Sequence, residues 1–347
     1  MNRITIKDIA RKLGVTPSTV SRALANNPRI SKKTREEVMK VAKKMGYEPN
    51  VIAASLRKGK SDTVGMIVPG INRSFFSNVI SGVEEILNTA GYNLIIIQSN
   101  ENLQKEQRAV QTLLQNRVGG VIMSLSVQSS GHSHIKDMVK RGIPLVQFDR
   151  VAAEIPGPKI VNDNYTGAYL SVKHLLENGY TSIAHFSGSL SINVYRERFE
   201  GYKAALEEAG IEFNERFVFE NSITRETGRR NVEIALNKLG ADAIFSSGDF
   251  SALGALERLK ELDVKVPEEF GVTGFANEPF AELMHPSLTS VEQNTREMGN
   301  RIAQTVIKSM TGESEEDISI AVELIVRESS NRINKKENKK LRRQNFY

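Results

Sequence analysis

The side chains best suited to chemistry here are hydroxyls and cations, and they crowd the first sixty residues. Thr16, Pro17, Ser18, Thr19, Ser21 and Arg22 follow a point where a helix can begin, with Thr16 as N-cap and Pro17 in the first helical position. A helix start presents free backbone N–H groups, which suit a phosphate, while the exposed side chains beyond it reach base edges. Arg22 can fork onto guanine, Ser18 can bond a base edge, and Pro17 can touch a thymine methyl. Thr16, Ser21, Ser31 and Thr34 are phosphate candidates, and Thr5 and Thr19 complete the set in this segment. The alternative is that these hydroxyls only cap helices and that Arg22 is a solvated surface charge.

The elements that would position these groups are three short helices. Thr5-Ile6-Lys7-Asp8 has the form of a capping box, so a helix should start at Ile6, bury Ile6, Ile9, Ala10 and Leu13 on one face, and end at Gly14. A second runs from Pro17 through Leu24, with Val20 and Leu24 turned inward. Ser31 can cap a third, in which Val38, Val41, Ala42 and Met45 form the apolar stripe before Gly46.

Charge agrees with this placement. The chain has 347 residues and a formal net charge of +6, and residues 1–60 carry 15 Lys/Arg against 4 Asp/Glu. Residues 331–347 carry 7 against 1, which leaves 25 basic and 36 acidic residues for the acidic middle. A basic head on an acidic body points to nucleic-acid contact at the head. The tail, with one leucine and no apolar heptads, is expected to be disordered and not a tetramerising zipper, so a dimer is expected.

From Thr63 the pattern changes to short apolar strands alternating with amphipathic helices. Strands fall near 64–68, 93–98, 119–124 and 145–148, with helices near 75–90, 103–116 and 133–141. A second series follows, with strands near 183–186, 216–220, 243–246 and 271–275 and helices near 165–178, 197–209, 226–239 and 250–262. Another strand is expected at 287–291 and another helix at 295–310. This is the signature of doubly wound parallel sheets, which bind ligands beyond the carboxyl ends of their strands.

Thr5-Ile6-Lys7-Asp8-Ile9-Ala10, Gly14-Val15-Thr16 and Thr19-Val20-Ser21-Arg22-Ala23-Leu24 resemble the opening signature of LacI-family (LacI/GalR-type) transcription regulators. Tyr47 to Arg57 is similar to that family's hinge, which becomes helical when two subunits meet on the operator. The resemblance covers nearly the whole chain. It implies a helix-turn-helix head (1–49), a hinge (50–60) and a periplasmic-binding-protein-like α/β core (61–330) before the tail. Lobe 1 would span about 61–160 and 292–320, and lobe 2 about 161–291 and 321–330. The hinge candidates for DNA contact are Asn50, Ala53, Leu56 and Arg57, with Leu56 as a minor-groove wedge that kinks the duplex while Arg57 faces phosphate. The implied partners are double-stranded DNA, a small-molecule effector that is sugar-like or a sugar derivative, and a second copy of the chain.

Effector candidates fall where strands end and helices begin. Phe75 and Phe76 can stack on a ring or belong to the core. Asp149, with Ser124 beside it in the candidate set, can accept from two hydroxyls; its alternative is a helix cap or an interlobe ion pair. Matching to the family's Arg-x-x-Gly pattern puts Arg198 in the cleft, near Asn193, where the alternative is a surface charge. Asp249 and Asn277 complete the set, with Asp249 also placed as a helix N-cap. Two departures remove hydroxyl-binding groups: Gly248 stands where many relatives have asparagine, and Ala276 where sugar-binding relatives often have an acidic residue.

Two rivals are weaker. An enzyme would need a motif that is missing: there is no Gly-x-Gly-x-x-Gly, P-loop, His-Glu-x-x-His or Gly-x-Ser-x-Gly, and no cysteine. His132 and His134 are the only close histidine pair, and neither a metal nor a cofactor is expected. A transport-type sugar-binding protein would carry an export signal where this chain has its helix-turn-helix. With no membrane-length apolar run, the expected location is the cytoplasm, at the bacterial nucleoid.

Overall fold

The computed structural model describes residues 4–47, 61–129, 131–313 and 316–332. They fall into two compact units that divide after Ser61.

The first unit holds α1 (Ile6–Leu13), α2 (Pro17–Leu24) and α3 (Lys32–Met45). Each starts and stops where its local chemistry directs. The Asp8 carboxylate accepts from the Thr5 N–H at 2.9 Å and from the Thr5 hydroxyl at 2.6 Å. Thr16 Oγ1 accepts from the Thr19 N–H at 3.2 Å, and Ser31 Oγ accepts from the Thr34 N–H at 3.2 Å. Gly14 ends α1 at φ 65, a left-handed conformation that a side chain resists. Ile9, Ala10, Val20, Ala23, Val38 and Ala42 form the buried core, with Leu13, Leu24, Val41 and Met45 half-buried around it.

The second unit is an α/β body of two six-stranded sheets. In chain order its elements begin β1 (Thr63–Val68), α4 (Ser74–Thr89), β2 (Asn93–Gln98), α5 (Leu103–Gln115), β3 (Gly120–Met123), α6 (Ser133–Lys140), β4 (Leu145–Phe148) and β5 (Lys159–Asn162). The second sheet's elements follow: α7 (Asn164–Glu177), β6 (Ile183–Phe186), α8 (Asn193–Glu208), β7 (Val218–Phe219), α9 (Arg225–Leu239), β8 (Ala243–Ser246), α10 (Asp249–Glu261), β9 (Gly271–Phe275) and β10 (Thr289–Glu292). The chain finishes with α11 (Thr295–Thr311), β11 (Ile318–Ile320) and β12 (Glu323–Ile325).

The first sheet has the order β11-β5-β4-β3-β1-β2 and is parallel throughout. The second has the order β12-β10-β9-β8-β6-β7, with β12 alone antiparallel. Helices cover both faces of each sheet, so strands such as β3, β4, β6 and β8 are buried along their whole length. The helix α11 returns to the first lobe and packs on α4 at a crossing where Gly82 and Gly299 meet. A Cβ on Gly299 would stand 2.5 Å from the Val79 carbonyl oxygen, so only glycine permits the approach.

The chain crosses between lobes three times, after β5, after β10 and after β11. Side-chain amides lace these crossings together. Asn162 Nδ2 donates to the Gln293 carbonyl at 2.7 Å and Gln293 Nε2 returns a bond to Asn162 Oδ1 at 3.0 Å. Asn294 Nδ2 then donates to the Ala321 carbonyl at 2.8 Å.

Some elements differ from expectation. The strand expected at 216–220 is a 3-10 turn, Glu215–Phe217, followed by the two residues of β7. The helix α8 begins four residues before the expected 197, because Asn193, Val194 and Tyr195 are buried against the body and packing sets the start without a side-chain cap. The strands β5, β11 and β12 are only three or four residues long, too short for alternation to register.

Candidate functional site

In the head, the hydroxyls gather at two helix starts. Thr16 Oγ1 lies 2.8 Å from Ser18 Oγ and 2.9 Å from Thr19 Oγ1, and Ser31 Oγ lies 2.8 Å from Thr34 Oγ1. Thr16, Pro17, Ser18 and Arg22 are exposed, Thr19, Ser21 and Thr34 are half-buried, and Ser31 and Thr5 are exposed. The caps are therefore real, and they leave donors at the surface of α2, the second helix of a helix-turn-helix pair. Arg35 braces the connection to α3 by donating from Nη1 to Asn26 Oδ1 at 2.6 Å. The hinge candidates Asn50, Ala53, Leu56 and Arg57 lie outside the described residues, as does the tail from 333 onward.

In the body, the loops that follow β1, β4, β8 and β9 converge on one interlobe cavity of about 310 Å³, at the lower end of the roughly 300–1,000 Å³ typical of ligand sites. Five expected residues line it: Phe75, Phe76, Asp149, Arg198 and Asp249. The two phenylalanines are also core residues, 7% and 6% exposed, and stack edge-on at 5.0 Å. They are core residues that also border the cavity.

Arg198 is a cleft residue and not a surface charge. Its Nε donates to Asn164 Oδ1 at 2.9 Å, its Nη1 to the Ser247 carbonyl at 2.8 Å, and its guanidinium lies 3.6 Å from the centre of the Phe275 ring. Burial holds its pKa below the usual arginine value, against nearby Tyr195 and Asp149. Asp149 sits at φ 57, with Oδ2 3.5 Å from Ser124 Oγ and 3.9 Å from Arg150 Nε. Burial pushes its carboxyl above the usual range, against the pull of Arg150 and Arg198. Asp249 is the first residue of α10, with Gly248 as the N-cap, which corrects the expected cap. Its carboxylate accepts from Ser290 Oγ and from the Glu278 N–H, both at 2.7 Å, and burial pushes it up to about 6.

Three expected residues stand outside the cavity wall. Ser124 is fully buried behind Asp149. Asn193 spends both ends of its amide on the opposite lobe: Nδ2 donates to the Asp149 carbonyl at 3.0 Å and Oδ1 accepts from the Val151 N–H at 3.1 Å. Asn277 is held within the second lobe, donating to Glu292 Oε2 and accepting from Arg327 Nη2, each at 2.8 Å.

The wall also holds residues outside the expected effector set. Arg73 crosses from the first lobe to stack 3.7 Å from the centre of the Phe250 ring, which packs edge-on against Phe280. Arg150 is bound by Glu101, with Nη1 at 2.7 and 2.8 Å from its two oxygens. Tyr195, Ser247, Ala276, Glu278 and Gln293 complete the polar and strained parts of the wall, with Ala276 at φ 121. The signal for most of them was position, within a few residues of a strand end or a lobe crossing, whereas Tyr195 lies in the first turn of α8. His132 and His134 pair separately, with Glu154 at 2.7 Å and Glu106 at 2.9 Å. Among the described residues no helix is long and apolar enough to cross a membrane.

A helix-turn-helix head and a two-lobed α/β body with a cavity at its strand ends define a DNA-binding transcription regulator built on a sugar-binding type of domain. Residues 5–50 match the model of bacterial regulatory proteins of the lacI family, and residues 61–328 match that of periplasmic binding proteins and the sugar-binding domain of the LacI family. The chain belongs to the LacI family. It is 31% identical to the HTH-type transcriptional regulator DegA of Bacillus subtilis (strain 168), over 96% of this chain and 99% of DegA. Among solved structures it resembles the transcription regulator CcpA of Lactococcus lactis (32% identity, TM-score 0.72, 77% of this chain and 98% of CcpA). It also resembles a complex of the transcriptional regulator CelR with cellobiose (28% identity, TM-score 0.71, 94% of this chain and 100% of CelR).

Proposed function

We propose that this protein is a repressor that binds a pseudo-palindromic operator as a homodimer and is controlled by a small molecule, a sugar or sugar derivative, held between its lobes. The observation that carries the reading is a cavity walled by both lobes, with Asp149 from one and Arg198 and Asp249 from the other. A ligand that touches all three binds the closed form more tightly, and only such differential affinity shifts an equilibrium between forms. CelR in complex with cellobiose supports the sugar-like class.

On the DNA side, α2 enters the major groove, Arg22 and Ser18 read base edges, and Thr16, Ser21, Ser31 and Thr34 hold phosphates. Thr5, Pro17 and Thr19 contribute from the same surface. One eight-residue helix reads too few base pairs for specificity, which is the argument for two copies on a two-fold site. Leu56 wedges into the minor groove at the centre of the site, flanked by Asn50, Ala53 and Arg57. Selection of bound DNA from a random pool, with and without a metabolite library, tests the reading. A two-fold symmetric site whose recovery changes with one metabolite supports it, and recovery of unrelated sequences refutes it.

A further inference from the structure

The lobes touch across the cavity at more than the Asn193 amide. Arg73 belongs to the loop after β1 in the first lobe, and Phe250 is the second residue of α10 in the second. The guanidinium carbon of Arg73 lies 3.7 Å from the centre of the Phe250 ring, and both residues are half-buried in the cavity wall. A planar cation over a ring face is held by the charge distribution of the ring as well as by apolar contact. Among the described residues no carboxylate lies within ion-pair distance of Arg73, so none competes with the Phe250 face for its charge.

Each side of this contact is fixed by bonds within its own lobe. The Arg73 carbonyl accepts from the Ser77 N–H and from the Ser77 hydroxyl, each at 3.2 Å, and the Ile71 N–H donates to Gln98 Oε1 at 3.1 Å. Opposite, the carboxylate of Asp249 accepts from Ser290 Oγ and the Glu278 N–H, while Phe250 packs edge-on against Phe280 with ring centres 5.1 Å apart. The anchors belong to separate lobes, so an opening wider than the reach of one arginine side chain breaks the pair.

We propose that Arg73 and Phe250 form a latch that holds the lobes together in the ligand-free protein and so sets how readily the cleft opens. Both groups meet water once the lobes part, so the contact stabilises the closed form alone. It is separate from the Asn193 amide, which joins α8 to the chain after β4. Its consequence for regulation rests on the reading of the cleft as the effector site: a weaker latch leaves fewer chains closed and raises the apparent dissociation constant of a ligand that selects the closed form. The latch itself is tested without ligand or DNA, so its failure leaves that reading standing.

The test is pulsed electron spin resonance on the full chain, ligand-free, spin-labelled at Gln104→Cys on α5 and Lys260→Cys on α10 and diluted into an excess of unlabelled chain. Arg73→Met keeps the apolar stem of the side chain and removes its charge. It should raise the ratio of open to closed molecules roughly 2- to 30-fold, the span of a cation–π contact from exposed to desolvated. Phe250→Leu should raise it in the same direction, and the double variant by no more than the larger single change, because both substitutions remove one contact. Arg73→Met carries the test by itself should Phe250→Leu fail to fold. An unchanged distance distribution in Arg73→Met overturns the latch, as do effects of the two substitutions that multiply in the double variant. A wild-type distribution dominated by distances longer than the closed structure allows overturns it as well.

Discussion

Asn193 was expected as an effector ligand, and the structure makes it a clasp between lobes, so Asn193→Ala should loosen the closed form without touching the cavity wall. The two bonds it removes join the second lobe to the Asp149 carbonyl and the Val151 N–H of the first. Each neutral hydrogen bond contributes about 0.5–1.5 kcal/mol net. In an open form both backbone groups meet water, so the loss falls on the closed form alone and amounts to about 1–3 kcal/mol. That shifts the open–closed equilibrium roughly 5–150-fold and raises the apparent dissociation constant of a closure-selecting ligand by up to the same factor. The chain has no cysteine. Spin labels at Gln104→Cys on α5 and Lys260→Cys on α10, both exposed, therefore report the interlobe distance when the labelled chain is diluted into an excess of unlabelled chain. Pulsed electron spin resonance should show a new population at changed distance in Asn193→Ala. An unchanged distribution would refute the clasp and leave Asn193 as a packing residue.

Two buried groups should give opposite pH dependences. Asp249 is raised to about 6 by burial, so it favours the folded state most below its unfolded value of about 4, and that contribution is lost as pH rises through 6. The loss is on the order of 3 kcal/mol, and Asp249→Asn should abolish it. Parallel urea midpoints for both proteins at pH 4.5 and 7 would contradict this. His185 is buried neutral between Phe245 and Tyr202, with its pKa lowered to about 3 by burial. Its contribution is present above about 6.5 and lost as pH falls through 3, at most on the order of 5 kcal/mol. His185→Phe should flatten the acid limb of the stability profile, and an unaltered limb would show that another group governs it. Thr16→Ala removes the cap of α2 and should cost about 1 kcal/mol of head stability, read as faster proteolysis within residues 4–47. Wild-type resistance would mean that packing alone holds the helix.

Much of the head was legible because its signals are local. Thr5, Thr16 and Ser31 cap helices that stop at Gly14, Leu24 and Gly46, and no distant partner is needed to read them. The parallel strands were legible as apolar runs, whereas β5, β11 and β12 owe their existence to neighbours across a sheet. In the cleft, Asp149 and Asp249 were expected from their place at strand and helix ends, and Arg198 from its match to the family's Arg-x-x-Gly pattern. Asn193, Asn277 and Ser124 have the right chemistry but spend it on protein partners, which no spacing discloses. Arg73, Glu101 and Phe250 sit in or beside loops whose convergence only the folded sheets produce.

The coupling between cleft and head is tested most directly by a titration of the selected operator against full-length protein, with and without a saturating amount of the metabolite that alters selection. Operator affinity is expected to change by roughly 5–150-fold, matched by the same change in ligand affinity when operator is present. Operator affinity that is identical with and without saturating ligand would contradict it.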